Sequence, residues 1–425
     1  MSENRKPAHA TGAAAPPYAP GATPTTPATS AATAPAAPGP GAREWLAVLS
    51  VAVGIFAVVT TELLPVGLLT SIGSSLDVSD GTAGLAMTLP GLVAAVAAPL
   101  LAVLVGKLDR KRVLIALMAL LAGANLVSAL ATSFPVLLTA RVLVGLSIGG
   151  VWAIAAGLAV RLVPARAVAT ATSVIFSGIA VASVLGVPVG TLIGDLATWR
   201  AAFWVMSALA LTVLVAMAVL LPPLPATRSV RPRELPALLR DPTPRIGLVA
   251  TALLVTGHFA AYTYVRPVLE EVSGVGSGLI STLLLVYGVA GIAGNFLAGA
   301  RAQRDPRGAL MTLSALLATA VVLIALVGAS TPGAAVLLVV WGLAYGGVSV
   351  SAQAWMLRAA PRAREVGSAL FVSVFNLAIS LGALLGGRAA DGVALSSVLW
   401  CGGALAALAL ANLWVFGRRV MPRRA

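Results

Sequence analysis

Twelve long apolar runs separated by short polar stretches make up most of this chain. They fall at about 45–69, 81–105, 113–132, 135–160, 168–192, 200–221, 246–269, 277–299, 309–329, 332–357, 366–387 and 394–417. A run of roughly 20 residues, rising about 1.5 Å per residue, crosses a hydrocarbon layer of about 30 Å as one helix. The pattern predicts an all-α polytopic membrane protein with twelve transmembrane helices. Residues 1–42 are rich in Ala, Pro, Thr and Gly and hold few large apolar side chains, so a disordered tail is expected there. The Pro- and Arg-rich stretch 222–245 separates six spans from six. The expected organisation is a tail at 1–42, a first half at 43–221, a linker at 222–245, a second half at 246–417 and a basic tail at 418–425.

The two halves repeat one another. Gly149-Gly150, Arg161, Pro164 and Gly190 recur as Gly346-Gly347, Arg358, Pro361 and Gly387, at a constant shift of 197 (346 − 149). A parallel repeat of this kind predicts two pseudo-symmetric six-helix halves related across the membrane normal.

Composition agrees with the pattern. The chain of 425 residues is 59% hydrophobic and 10% charged, against about 25% charge in a soluble domain. Its net charge of +14 resides in short clusters between the runs, so it reads as membrane topology and not as nucleic-acid binding. Of 28 basic residues, 24 fall on one side: in the two tails, the linker and the loops after spans two, four, eight and ten. That side is expected to be cytoplasmic, with both termini on it. The opposite side collects Asp77, Asp80, Asp195, Glu270, Glu271 and Asp391. The single cysteine, Cys401, precludes an internal disulfide, and there is no Cys/His metal spacing, enzyme-like nucleophile cluster or nucleotide-binding P-loop. An enzyme is not expected, nor is a metal or organic cofactor.

Within the spans one acid and one base stand out, Glu62 in span one and Arg141 in span four. An ionised carboxylate inside a bilayer is costly unless it is paired or faces water, so Glu62 is the first candidate for chemistry. Because the two spans run in opposite directions, rise along the helices brings both residues to similar depth. Burial and a nearby cation pull a carboxyl in opposite directions, which suits a group that exchanges a proton; a fixed ion pair joining two helices is the other reading. His258, Tyr262 and Arg266 form a stripe on span seven, where a histidine either relays a proton, hydrogen-bonds a ligand or simply packs. Arg266 is expected to pair with Glu270 or Glu271 at the outer edge. Arg141, Gly145, Gly149 and Trp152 share one face of span four, Trp152 being deep enough to stack on a planar ligand. Tyr287, Gly291 and Asn295 align on span eight, Trp341, Tyr345 and Ser349 on span ten, and Ser373, Asn376 and Ser380 on span eleven. From these the expected cavity residues are Trp152, Tyr262, Tyr287, Asn295, Tyr345 and Asn376, with interhelical hydrogen bonding as the alternative for each stripe.

Twelve spans in two halves, a basic loop after span two, an arginine early in span four and a Gly/Pro-rich span five resemble the major facilitator superfamily. Thr61-Glu62-Leu63-Leu64-Pro65, Arg141-Val-Leu-Val-Gly145 and Gly257-His258-Phe-Ala-Ala-Tyr262-Thr-Tyr264 resemble its twelve-helix drug:proton antiporter branch. Arg161-Leu-Val-Pro164, Ser173-Val-Ile-Phe176 and Thr263-Tyr-Val-Arg-Pro267 look most similar to purine ribonucleoside efflux pumps, with sugar and chloramphenicol exporters close by. The resemblance implies a monomeric, proton-driven exporter of small organic molecules in the bacterial inner membrane, with Glu62, Arg141 and His258 coupling the proton. It also implies gating by Gly106, Asp109 and Arg110 in the basic loop and by Gly186, Pro188 and Gly190 in span five. The loop departs from the family pattern by a missing glycine, and the span-five motif lacks an adjacent Gly-Pro. A transport-inactive membrane sensor with the same fold and an uptake symporter are the alternative functions.

Overall fold

The structure is a computed structural model that describes residues 41–104, 108–155, 158–225, 240–328, 330–361 and 364–420. The expected disordered tail through residue 40, Gly106 of the basic loop and most of the linker lie outside the described residues. All regular structure described is helical. The first-half spans are α1 (Ala42–Leu76), α2 (Leu85–Leu104), α3 (Arg110–Ala129), α4 (Phe134–Ala155), α5 and α6 (Trp199–Leu220). α5 starts as Val168–Val181, passes through a π-turn at Ala182–Gly186 and continues as Val187–Leu196. The second-half spans are α7 (Pro242–Tyr262), α8 (Ser277–Ala302), α9 (Pro306–Val327), α10, α11 (Arg364–Gly392) and α12 (Ser397–Val415). α10 runs over Thr331–Gly346 and resumes as Val348–Ala359. Outward faces carry apolar side chains such as Leu211, Val215, Phe296 and Leu408, as lipid contact requires.

Span starts follow local chemistry. Asp109, Thr198, Asp241, Asp305 and Ser330 each accept a backbone N–H at a helix N-terminus. Asp241 followed by Pro242 explains why α7 begins four residues before the hydropathy pattern predicts: the cap and the N1 proline start the helix ahead of the apolar run. The repeat extends to the helix bounds: moving α3, α5 and α6 by 197 residues reproduces those of α9, α11 and α12 to within two residues.

Packing is repeated as well. α2 lies against α4 where a Cβ on Gly149 would meet Ala97 Cβ at 2.9 Å. α8 lies against α10 where a Cβ on Gly346 would meet the Gly291 carbonyl at 2.0 Å. α3 packs on α6, and α9 on α12. The halves meet through α2 and α11, through the second segment of α5 and α8, and through α1 and the short Val265–Pro267 helix after α7. Val66, Leu69, Ala83, Met87 and Val187 of the first half belong to the apolar core of the second. These five lie toward the end of the molecule that carries the acidic loops.

Candidate functional site

Prolines prepare the centre of the first half. Pro65 has no N–H, so the carbonyl of Thr61, four residues earlier, loses its helical partner. Pro90 does the same to the carbonyl of Ala86 in α2. Arg141 of α4, fully buried, supplies both donors: Nη1 donates to Thr61 O at 3.0 Å and Nε to Ala86 O at 2.9 Å. Its Nη2 donates to the Glu62 carbonyl at 3.1 Å. The guanidinium thus joins α1, α2 and α4 through main-chain oxygens.

Glu62 and Arg141 do come together at one depth, but through the Glu62 backbone. The Glu62 carboxyl is buried, and its Oε1 has no hydrogen-bond partner. Among the described residues no ion pair joins this carboxylate to the guanidinium, whose hydrogen bonds go to main-chain oxygens. A carboxyl held in this way keeps an oxygen free for a proton or a ligand donor, which a bidentate ion pair would not. Thr61 is tied further by Asn125 Nδ2, which donates to its Oγ1 at 3.2 Å.

The centre of the second half is aromatic. His258 of α7 lies parallel to Tyr345 of α10, with ring centroids 3.3 Å apart, and to Tyr262 at 4.9 Å. Tyr262 stacks in turn on Tyr287 of α8 at 4.8 Å. Trp341 of α10 donates from Nε1 to His258 Nδ1 at 3.0 Å and stands edge-on to Tyr262 and Tyr287. Tyr345 of this group interacts electrostatically with Glu62 of the other half.

The remaining sequence candidates are dispersed. Trp152 stacks on Phe176 of α5 at 6.4 Å, within the first half and apart from the histidine cluster. Asn295 is half-buried on α8. Asn376 turns its amide onto its own helix, Nδ2 donating to Val372 O at 2.9 Å. Gly186 and Gly190 let α5 close on α1: a Cβ at Gly186 would press on Thr60, and one at Gly190 would meet Leu64 Cδ1 at 2.1 Å. Pro188 opens the helix that follows the π-turn. Asp109 caps α3 through Lys111 N and accepts from Leu224 N at 3.0 Å, while Arg110 N donates to Leu224 O. These loop contacts bind the first half to its own outgoing chain.

The acidic end holds a group that the spacing of residues did not reveal. Arg266 donates to Asp195 at 2.9 Å and to the Gly67 carbonyl at 2.7 Å, both in the first half, and to Glu270 at 3.0 Å in its own. Thr70 donates to the second oxygen of Glu270 at 2.9 Å. Alongside, Asp391 of the second half accepts from Ser79 Oγ at 2.7 Å and from Gly81 N at 3.0 Å. The expected outer-edge bridge from Arg266 to Glu270 is present, but two of its bonds cross between the halves. The signal available in the sequence was scarcity: Arg266 is one of few bases among the acids of that end.

Comparison with known proteins gives the family. The model for the Major Facilitator Superfamily matches residues 46–383. A protein of Pseudomonas aeruginosa described as "Transcription regulatory protein OpdE" is 36% identical over 352 residues, covering 82% of this chain and 88% of that protein. Among solved structures, a bacterial homologue of the human lysosomal transporter Spinster, inward-facing and unoccupied, superposes with a TM-score of 0.72 at 16% identity, covering 91% of this chain and 99% of its own. The human organic anion transporter MFSD10 (TETRAN) gives 0.64 at 18% identity, covering 87% and 99% respectively. With twelve apolar helices in two repeated halves and a family match spanning most of its length, the chain belongs to the Major Facilitator Superfamily.

Proposed function

We propose that this protein is a proton-coupled secondary transporter that exports small organic molecules, of drug, nucleoside or sugar type, across the bacterial inner membrane by alternating access. The observation that carries the reading is Glu62, a buried carboxyl with an unpartnered oxygen beside a guanidinium committed to the backbone. In this reading the carboxyl is the single exchangeable site: a proton and a substrate donor compete for it, and the two halves rock around it. Arg141 supplies a fixed positive field and stays on its carbonyls throughout. His258, Tyr262, Tyr287 and Tyr345 form the facing wall, suited to a flat, partly polar molecule.

Contacts between the halves gather at the acidic end, so we read this conformation as closed there and open toward the basic, cytoplasmic end. Export from this state begins with substrate entry from the cytoplasm and ends with proton entry from outside.

The test is an export panel in a pump-deficient strain, with inosine, chloramphenicol and a labelled disaccharide as probes, each with and without an uncoupler. Uncoupler-sensitive export of one class, lost on Glu62→Gln at unchanged membrane abundance, is the expected result. Export of every probe at the empty-vector rate would count against transport. A second reading, a transport-inactive sensor, draws on the regulatory description of the Pseudomonas relative. It predicts saturable binding of a probe in proteoliposomes with no counterflow.

A further inference from the structure

The hydrogen bond between Trp341 and His258 decides what the histidine can do. An indole nitrogen only donates, so the His258 Nδ1 that receives Trp341 Nε1 at 3.0 Å carries a lone pair and no proton. The neutral ring therefore bears its proton on Nε2. Stacking against Tyr262 and Tyr345 fixes the plane of that ring. The hydrogen bond that the described residues give the ring is this one at Nδ1, so the Nε2–H is the polar group it has to offer a ligand. Adding a second proton would place it on Nδ1, where the indole N–H already points, so protonation requires the Trp341 bond to break first.

We propose that Trp341 is a positioning residue that locks His258 as a neutral donor through Nε2, and that His258 reads a hydrogen-bond acceptor on the substrate and does not carry the transported proton. The proposal rests on the transporter reading for its substrate, and it assigns the proton to Glu62 alone. The chemical class it favours is a planar or aromatic molecule with a carbonyl, ring-nitrogen or similar acceptor in its plane. Such a ligand stacks on the tyrosines while its edge meets the Nε2–H.

Tautomers are distinguishable without any substrate. Histidine-labelled protein in nanodiscs, with His9 replaced by Gln so that one histidine remains, is expected to show His258 by nitrogen-15 NMR as the Nε2–H form alone. Trp341→Phe removes the donor and is expected to give a mixture of both neutral forms. An Nδ1–H form or an imidazolium in the parent protein at neutral pH overturns the proposal, and this outcome needs no statement about transport. If Trp341→Phe does not fold, the parent spectrum decides alone. The second arm uses inosine and chloramphenicol export. Gln carries its amide nitrogen near the reach of Nε2 and Asn near that of Nδ1. Both variants lose the ring and its stacking, and His258→Asn is expected to lose about tenfold more export than His258→Gln, the scale of one buried hydrogen bond. Equal loss in both variants with the Nε2–H spectrum intact overturns substrate reading by the donor. Absence of export in the parent protein points instead to failure of the transporter reading.

Discussion

The two halves share a backbone plan and differ at its centre. The shift of 197 sets Glu62 opposite Phe259, Arg141 opposite Leu338, Pro65 opposite Tyr262 and Pro90 opposite Tyr287. In the first half two prolines free two carbonyls and a guanidinium takes them; in the second, the prolines are absent and so is the arginine. The places of Thr61, Val144 and Ile148 are held there by His258, Trp341 and Tyr345. One centre is a charged group pinned to the main chain, the other an uncharged aromatic stack. The difference teaches that the arginine belongs with the prolines: without orphaned carbonyls a buried guanidinium has nothing to satisfy it.

Making the first half like the second is the harshest way to break that comparison. Arg141→Leu leaves the Thr61 and Ala86 carbonyls buried without a donor, each costing about 1–3 kcal/mol, and is expected to abolish folded yield in fluorescence-detected size exclusion. Adding Pro65→Ala and Pro90→Ala restores helical N–H groups to Thr61 and Ala86 and is expected to recover part of that yield. No recovery would mean that the prolines do not explain the arginine.

The acidic end gives the next largest effect, because it holds the halves together where their centres differ. Arg266→Gln removes charge-assisted bonds to Asp195 and Glu270, worth roughly 1.5–3 kcal/mol each when well formed. Ser380 is buried where a Cβ on Gly91 of the other half would come within 2.1 Å of its Oγ, so it is a natural reporter of opening. With Ser380→Cys in a Cys401→Ser background, Arg266→Gln is expected to speed maleimide labelling about tenfold. An unchanged rate would show that Arg266 does not latch the halves.

The smallest effect sharpens the shared packing. At Gly346 an added methyl meets the Gly291 carbonyl oxygen at 2.0 Å, a backbone atom that cannot turn aside. At Gly190 it meets the end of the Leu64 side chain at 2.1 Å, which can rotate. Gly346→Ala should cost about 1–3 kcal/mol in thermal stability and Gly190→Ala less than about 1 kcal/mol. The order of the two melting temperatures is the check.

Much of the fold was legible because the bilayer imposes it. A span must be long, apolar and hydrogen-bonded within itself, so twelve runs and a repeat shift sufficed to define twelve helices in two halves. The common depth of Glu62 and Arg141 was also legible, but their meeting needs α1 and α4 to be neighbours, which depth alone does not fix. The route by which they meet was not legible, since it depends on which carbonyl faces which helix. Yet half of it was written locally: Pro65 and Pro90 each name an orphaned oxygen four residues back. The Trp341 to His258 bond joins α7 to α10, and nothing in either stripe foretold it. The partners of Asp109, a helix N-terminus and Leu224, were half legible: an acid just before a helix suggests a cap, but Leu224 is brought there by the chain leaving α6.

Glu62→Gln in proteoliposomes tests the central claim most directly, because it keeps the shape of the side chain and removes its exchangeable proton. Two rates are compared for whichever of inosine or chloramphenicol is exported in cells: transport driven by a pH gradient, and substrate counterflow at equal pH on both sides. The account predicts that gradient-driven transport falls to the protein-free baseline while counterflow persists. Gradient-driven transport at the parent rate would contradict it and remove Glu62 as the proton site.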